Sequence, residues 1–424
     1  MTEKFTDVVC TYCGSLCDDL VVKVKDNQVT DLENGCIISK NEFKSASSDL
    51  KPQVNGKEVE YQKAKKEAVN ILTESRYPLI YGLSSTSNEG QRAAIKLAER
   101  VGANIDSTSS VCHGPGTLAK QHVGMVSATL GEVKNRSDLI VIWGANPLAA
   151  HLNHAKRYSF LSDGLYQDKS DKKTIVVDVR KTATAKMADQ FIQVEPNSDY
   201  EVLITLKALL QGEEVEVEEV GGVKVAELKE LLSQLKEADY GSLLYGMGLT
   251  MTSGKHMNPL AAVELATLLN DYTRFVVMPM RGHGNVAGSE KTLGWQTGYP
   301  FAVNLSLGYP RYNPGEFTAV DLLVRKEVDA AVIIASDPAA HLPSEAVDYL
   351  KEIPTIVLDP HHNLTTDFAD VVIPTAMTGV SASGTVYRMD NVPLTAKAVL
   401  SSPWPNDEEL LLQLEEGVKH AENN

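Results

Sequence analysis

One strand-and-turn pattern occurs twice in the chain, and this duplication restricts the possible folds more than any other feature. Residues 137–147 read SDLIVIWGANP and residues 328–338 read VDAAVIIASDP: an aspartate, a short apolar run, then Asn-Pro or Asp-Pro. TIVVD, ending at Asp178, and TIVLD, ending at Asp359, follow in the two halves, and eleven residues after each comes an Ala-Asp pair, Ala188-Asp189 and Ala369-Asp370. Apolar runs of this length are buried strands. They alternate with amphipathic stretches, as in Pro78-Leu79-Ile80-Tyr81-Gly82 followed by Glu89 to Val101, a rhythm that implies parallel sheets covered by helices. The expected class is therefore α/β, with two Rossmann-like parallel-sheet domains.

In such sheets ligands bind outside the carboxyl ends of the strands, where an aspartate can accept hydrogen bonds from ribose hydroxyls or a guanine edge. Asn146, Asp178, Asp337 and Asp359 occupy those positions and are candidate nucleotide contacts. The same residues would serve equally in two ordinary units whose aspartates cap helices. The first fifty residues differ, with short β-like pieces such as Leu20-Val21-Val22-Lys23-Val24 between turn-prone Asp26-Asn27 and Glu33-Asn34-Gly35, so a small β-rich N-terminal domain is expected. The boundaries read as 1–52 for that domain, 53–135 plus 286–424 for one Rossmann-like domain and 136–285 for the other. Acidic residues 213–219 interleave with valines and precede Gly221-Gly222, the pattern of a solvated surface hairpin or loop.

Five cysteines, an odd number with four of them before residue 37, do not suit a disulfide framework stapling 424 residues. Cys10, Cys13 and Cys17 follow a C-x2-C-x3-C spacing, and Cys36 completes a set of four. Four thiolates on one tight loop and a returning segment suit a cubane iron-sulfur cluster. A structural zinc ion also takes four cysteines, more often from two separated C-x2-C knuckles. The net charge of −16 disfavours nucleic acid. No run of eighteen apolar residues exists and the N-terminus lacks an apolar signal, so a cytoplasmic protein without a membrane span is expected.

Cys112 stands apart, in Ser107-Thr108-Ser109-Ser110-Val111-Cys112-His113-Gly114-Pro115-Gly116, just before a helix-like stretch. A thiol near a helix N-terminus has its thiolate favoured, which suits a nucleophile or metal ligand, while a lone cysteine can also be plain core. The second unusual stretch is Met278-Pro279-Met280-Arg281-Gly282-His283-Gly284-Asn285, after the strand-like Phe275-Val276-Val277. Arg281 could hold a carboxylate through its planar fork or pair with a surface acid, and His283 could be a supporting donor.

Together these features resemble the molybdopterin oxidoreductase family over nearly the whole chain. The family's cluster motif matches Cys10, Cys13, Cys17 and Cys36, its metal-ligand position falls on Cys112 followed by His113 as in formate dehydrogenases, and its active-site arginine matches Arg281. Ser381-Ala382-Ser383-Gly384-Thr385 resembles the pterin-contact segment, which places Gly384 and Thr385, with Gly282 and His283, among the cofactor contacts. The resemblance implies a [4Fe-4S] cluster, two molybdopterin guanine dinucleotides (bis-MGD) and a molybdenum or tungsten ion. It implies an enzyme reducing CO2 to formate, with catalytic roles for Cys112, His113 and Arg281. Larger relatives carry a lysine two residues after the fourth cysteine. Here that position is Ile38, and Lys40 is the nearest lysine. The family's β-barrel domain is missing before Asn424, which implies a small barrel subunit that completes the pterin site. Further implied partners are an amidohydrolase-like A subunit that condenses formate with methanofuran, a C subunit, and ferredoxin-like electron donors. Two other functions fit the same residues: a stand-alone formate dehydrogenase chain, and a non-catalytic electron-transfer subunit.

Overall fold

A computed structural model describes residues 2–46 and 50–423; residues 47–49, part of the expected N-terminal domain, lie outside the described residues. The chain divides into two compact units, Met1–Ser110 with His283–Asn424, and Val111–Gly282. No helix among the described residues is long and apolar enough to cross a membrane.

The first unit begins with an antiparallel sheet of β1 (Glu3–Val8), β2 (Leu20–Lys25) and β3 (Gln28–Glu33), followed by the helix Ile37–Lys44. Short strands β4 (Gln53–Val54) and β5 (Lys57–Glu58) precede β6 (Leu79–Gly82) and β7 (Asn104–Ser107), the last two joined by the helix Asn88–Val101. The second unit holds β8 (Leu139–Trp143), β9 (Lys173–Asp178), β10 (Gln190–Gln193), the surface hairpin β11 (Glu219–Val220) and β12 (Val223–Lys224), then β13 (Tyr240–Tyr245) and β14 (Arg274–Pro279). Back in the first unit come β15 (Val303–Asn304), β16 (Arg311–Tyr312), β17 (Ala331–Ile334), β18 (Thr355–Asp359), β19 (Val371–Pro374) and the hairpin β20 (Gly384–Tyr387) and β21 (Pro393–Ala396).

The second unit's sheet is parallel throughout, in the order β10-β9-β8-β13-β14. The first unit repeats that arrangement as β19-β18-β17-β6-β7, also parallel, with β15 and β16 added antiparallel at one edge and β4 and β5 at the other. The only change is in chain order: in the first unit the last two strands of the pattern come first. Each sheet therefore has a topological switch point, between β8 and β13 and between β17 and β6, where crevices form at the strands' carboxyl ends. The strands read as apolar runs because helices cover both faces. Val141, Ile175, Leu243 and Val277 are buried in one core, and Ile80, Val332, Ile356 and Val371 in the other.

The duplication reaches individual hydrogen bonds. The carboxylate of Asp138 accepts the N–H groups of Asp239 (2.9 Å) and Tyr240 (2.8 Å) at the start of β13. Asp329 does the same for Arg76 (2.7 Å) and Tyr77 (3.0 Å) before β6, and also accepts the Ser75 hydroxyl. Asp189 accepts from Thr174 N–H (2.7 Å), and Asp370 from Thr355 N–H (2.8 Å). These aspartates satisfy backbone amides at or just before the starts of strands.

The unit boundary lies at Ser110/Val111, upstream of the 135/136 read from the sequence, because the helix Gly114–Val123 packs on Met257–Leu269 within the second unit. Residues 2–46 belong to the first unit's contact network.

One ion-pair cluster closes the first unit. Glu415, on the helix Asp407–Glu422, accepts from Lys96 Nζ and Arg100 Nε of Asn88–Val101, each at 3.1 Å. Burial raises the glutamate's pKa, but the two hydrogen bonds outweigh it and hold the group below its ordinary value. The pairing's contribution is therefore whole above the ordinary glutamate pKa and is lost as pH falls through the lowered folded value. Glu415→Gln should cost about 1 kcal/mol at pH 7 in denaturant titrations, with the difference from the parent closing in acid.

Candidate functional site

Past β14 the chain leaves the sheet, and the second unit gathers Cys112, His113 and Arg281 around that exit. Cys112 and His113 precede the helix Gly114–Val123, whose first turn closes through Thr117 N–H to His113 O at 3.0 Å. The Cys112 carbonyl accepts the Thr250 hydroxyl at 2.7 Å, so the backbone presenting the thiol is held from a second element. Both side chains are buried. Arg281, also buried, places Nη2 3.4 Å from Thr117 Oγ1 on the same helix turn.

His113 Nε2 lies 3.0 Å from the carbonyl of Met280. A carbonyl only accepts, so Nε2 carries the proton and Nδ1 presents a lone pair. That Nδ1 is buried and has no hydrogen-bond partner among the described residues. Burial, and then the charge of Arg281, push the His113 pKa down to about 3, which keeps the ring neutral. A neutral acceptor beside a thiol and a guanidinium can take a proton or hydrogen bond from a small acid.

The first unit gathers the other four cysteines. Cys10 N–H donates to Cys17 O (2.8 Å) and Leu16 N–H to Cys13 O (3.0 Å), folding residues 10–17 into a compact loop. Cys36 caps the helix Ile37–Lys44, with Ser39 N–H donating to its Sγ at 3.5 Å. His283 forms an antiparallel bridge with Cys13, and its Nδ1 is 3.4 Å from Thr108 Oγ1. The next residue must be Gly284, because a Cβ there would overlap the Thr11 carbonyl. Among the described residues no three His, Cys, Asp or Glu side chains form a group that could hold a metal ion as they stand. The donor chemistry nevertheless fits a cluster. Burial pushes the Cys10 thiol well up, and charge on Cys13, Cys17 and Cys36 adds to this; the Cys13 thiol is raised as well, by burial first and then by Cys36. Thiols whose ionisation is opposed by burial and by one another are what a cationic metal centre would deprotonate and hold. Lys40 sits one helical turn beyond Cys36, on the same face, whereas Ile38 points elsewhere.

The strand-end residues fall at matching places in the two units, and some are already engaged. Asn146 Oδ1 accepts from the Thr184 hydroxyl (2.7 Å) and N–H (3.3 Å), while Asp337 accepts from the Thr365 hydroxyl (2.6 Å) and N–H (3.0 Å). Both side chains thus pin the following loop. Gly144, beside Asn146, has φ 57°, and a Cβ there would lie 2.7 Å from Leu249 N, so the switch-point turn admits no larger residue. Asp178 and Asp359 accept the N–H two residues on, from Arg180 (3.2 Å) and His361 (2.8 Å). Burial raises both, Asp359 to about 7. Gly384 lies against Ser87, and Thr385 N–H donates to Glu89 at 2.8 Å, so this hairpin engages the start of Asn88–Val101. A side chain at Gly282 would meet open space.

Two further acids escaped the sequence reading. Asp199 and Asp407 each open a helix, Asp199–Leu210 and Asp407–Glu422, and both are buried. Each has one oxygen, Asp199 Oδ2 and Asp407 Oδ1, without a hydrogen-bond partner among the described residues. Asp199 feels the charge of Asp178, and Asp359 that of Asp407, so each unit brings a strand-end aspartate near a helix-start aspartate. The signal was Pro196-Asn197-Ser198-Asp199 and Pro405-Asn406-Asp407, which the duplication could have matched.

The model of the family described as molybdopterin oxidoreductase matches residues 59–406. The B subunit of the tungsten-containing formylmethanofuran dehydrogenase 2 of Methanocaldococcus jannaschii is 46% identical over 414 residues, 95% of each chain. The protein of the same name from Methanococcus maripaludis is 42% identical, again over 95% of each. Among solved structures, a chain of the formyltransferase/hydrolase complex of Methylorubrum extorquens, crystallised with methylofuran, superposes with a TM-score of 0.73 at 21% identity, covering 88% of this chain and 100% of that one, which shows a shared fold. The chain belongs to the molybdopterin oxidoreductase family, grouping there with the formylmethanofuran dehydrogenase B subunits.

Proposed function

We propose that the chain is the redox catalytic subunit of a formylmethanofuran dehydrogenase, interconverting CO2 and formate at a tungsten or molybdenum ion held by two molybdopterin guanine dinucleotides and fed by a [4Fe-4S] cluster. The observation that carries this reading is the neutral, buried His113 with an unpartnered Nδ1, next to Cys112 in the chain and within the field of Arg281, which reaches Thr117 on the same helix turn. A pterin-held metal would supply the two-electron change between CO2 and formate. Cys112 would hold that metal by its thiolate, favoured at a helix start. Arg281 would bind the carboxylate with parallel N–H donors and stabilise its developing charge. His113 would accept at Nδ1 the proton that formate releases on oxidation to CO2, and return it in reduction. Burial of all three excludes water from the reacting atoms.

Cys10, Cys13, Cys17 and Cys36 would hold the cluster through which electrons pass. The matched acid pairs, Asp178 with Asp199 and Asp359 with Asp407, would take the two guanine nucleotide ends, one per unit; an uncompensated carboxylate oxygen suits the donor edge of guanine. Gly282, His283, Gly384 and Thr385 would border the pterins, and Lys40, the lysine nearest after Cys36, would lie between cluster and pterin. The relatives are named as B subunits, which supports an assembly with partners: an amidohydrolase-like protein joining formate to methanofuran, a C subunit, ferredoxin-like electron donors and a small β-barrel subunit.

Elemental and pterin analysis of the purified complex tests the reading. The expected result is one tungsten or molybdenum and two pterins for each copy of this chain, with iron present beside them. Iron without tungsten or molybdenum would instead make the chain a non-catalytic electron carrier.

A further inference from the structure

His151 has no part in the chemistry above, yet it touches the backbone of the residue on which that chemistry depends. Beyond Pro279 the sheet supplies one last bond, Met280 N–H to Tyr245 O at 2.7 Å. The next two carbonyls then lie outside any ladder and need donors from elsewhere. Imidazoles provide them: His113 Nε2 is 3.0 Å from Met280 O, and His151 Nε2 is 2.8 Å from Arg281 O. His151 is buried, and its partner only accepts, so its Nε2 carries the proton.

We propose that His151 is a positioning residue for Arg281, fixing the peptide from which the guanidinium reaches the formate carboxylate. The source of the donor gives the contact a second consequence. His151 ends the turn that starts at Asn146, with its N–H on Pro147 O (2.8 Å) and its carbonyl accepting His154 N–H (2.8 Å). Asn146 in turn pins Thr184 at the mouth of the second unit's nucleotide half-site. One hydrogen-bonded turn thus runs from the proposed nucleotide half-site to the proposed anion-holding arginine, so a ligand that orders residues 146–151 would also order Arg281. Both ends lie in the same unit. A misplaced arginine would weaken capture of the anion more than the electron step.

The proposal rests on the reading of Arg281 as the formate-holding group. Its test uses the assembled complex with formate and a viologen acceptor. His151→Ala removes the donor. His151→Gln restores an N–H at nearly the Nε2 position, and His151→Asn keeps an amide too short to reach. The expected result is a KM for formate raised about tenfold in the Ala and Asn variants with kcat within about threefold, and a value near the parent's for Gln. Hydrogen exchange in residues 278–285 should quicken in Ala and Asn and not in Gln. An unchanged KM in Asn, or a Gln variant as impaired as Asn, would overturn the proposal. If the Ala variant fails to assemble, the Gln and Asn pair decides alone. A parent complex inactive toward formate would sink the functional reading instead, and the exchange measurement would still decide whether His151 holds Arg281.

Discussion

Cys112→Ala is expected to bring CO2 reduction and formate oxidation to background while leaving the iron content and the cluster's EPR signal intact. The thiolate is the protein's own bond to the proposed metal, and its backbone is held by Thr250 and by the helix start at His113–Thr117. Removing a ligand costs several kcal/mol of transition-state stabilisation, and each ~1.4 kcal/mol is tenfold in rate, so a loss on the order of 10³-fold or more is expected. The four cysteines proposed to hold the cluster lie in the first unit and Cys112 in the second, so the two signals should part cleanly. Steady-state assays on the variant complex, paired with low-temperature EPR of the dithionite-reduced protein, check this. Activity within tenfold of the parent would remove Cys112 from the metal.

Arg281→Ala should lower kcat/KM for formate by about 10²–10³-fold, the range seen when a preorganised donor to a developing charge is removed. Arg281→Lys should recover little of it, because an ammonium offers one point of contact where the guanidinium offers a planar fork. The same substitution has a second effect. The Arg281 charge helps hold His113 below its ordinary pKa, after burial, so in the alanine variant the His113 pKa should rise and the acidic limb of the kcat/KM profile should move to higher pH. A pH–rate series on both variants separates these effects, and an alanine variant retaining the parental profile would exclude Arg281 from the site.

Much of this is legible in the amino-acid sequence. The apolar runs read within 78–82, 137–147, 328–338 and 355–359 hold the strands Leu79–Gly82, Leu139–Trp143, Ala331–Ile334 and Thr355–Asp359, and the helix read over 89–101 spans Asn88–Val101. These assignments succeed because burial on both faces leaves one kind of residue per strand and a clear change of period at the next helix. The duplicated aspartates were equally visible, but their work was not. Asp138, Asp329, Asp189 and Asp370 satisfy strand amides, and Asn146 and Asp337 hold Thr184 and Thr365, because a strand's end leaves backbone donors that no sequence pattern labels. Asp199 and Asp407 were missed since each meets its strand-end partner only through helix placement, at different chain separations in the two units.

The sequence by itself determined the family and the two α/β repeats, and it offered the residue types proposed for a cluster, a metal thiolate and an anion-binding arginine, since spacing and donor chemistry are local properties. Tertiary structure alone decided that His113 donates from Nε2 and keeps a buried, unpartnered Nδ1, that His151 reaches the Arg281 carbonyl, and that the chain passes between units at Ser110. Tautomer, burial and carbonyl partners depend on atoms brought together from distant parts of the chain, and a one-dimensional pattern does not contain those distances.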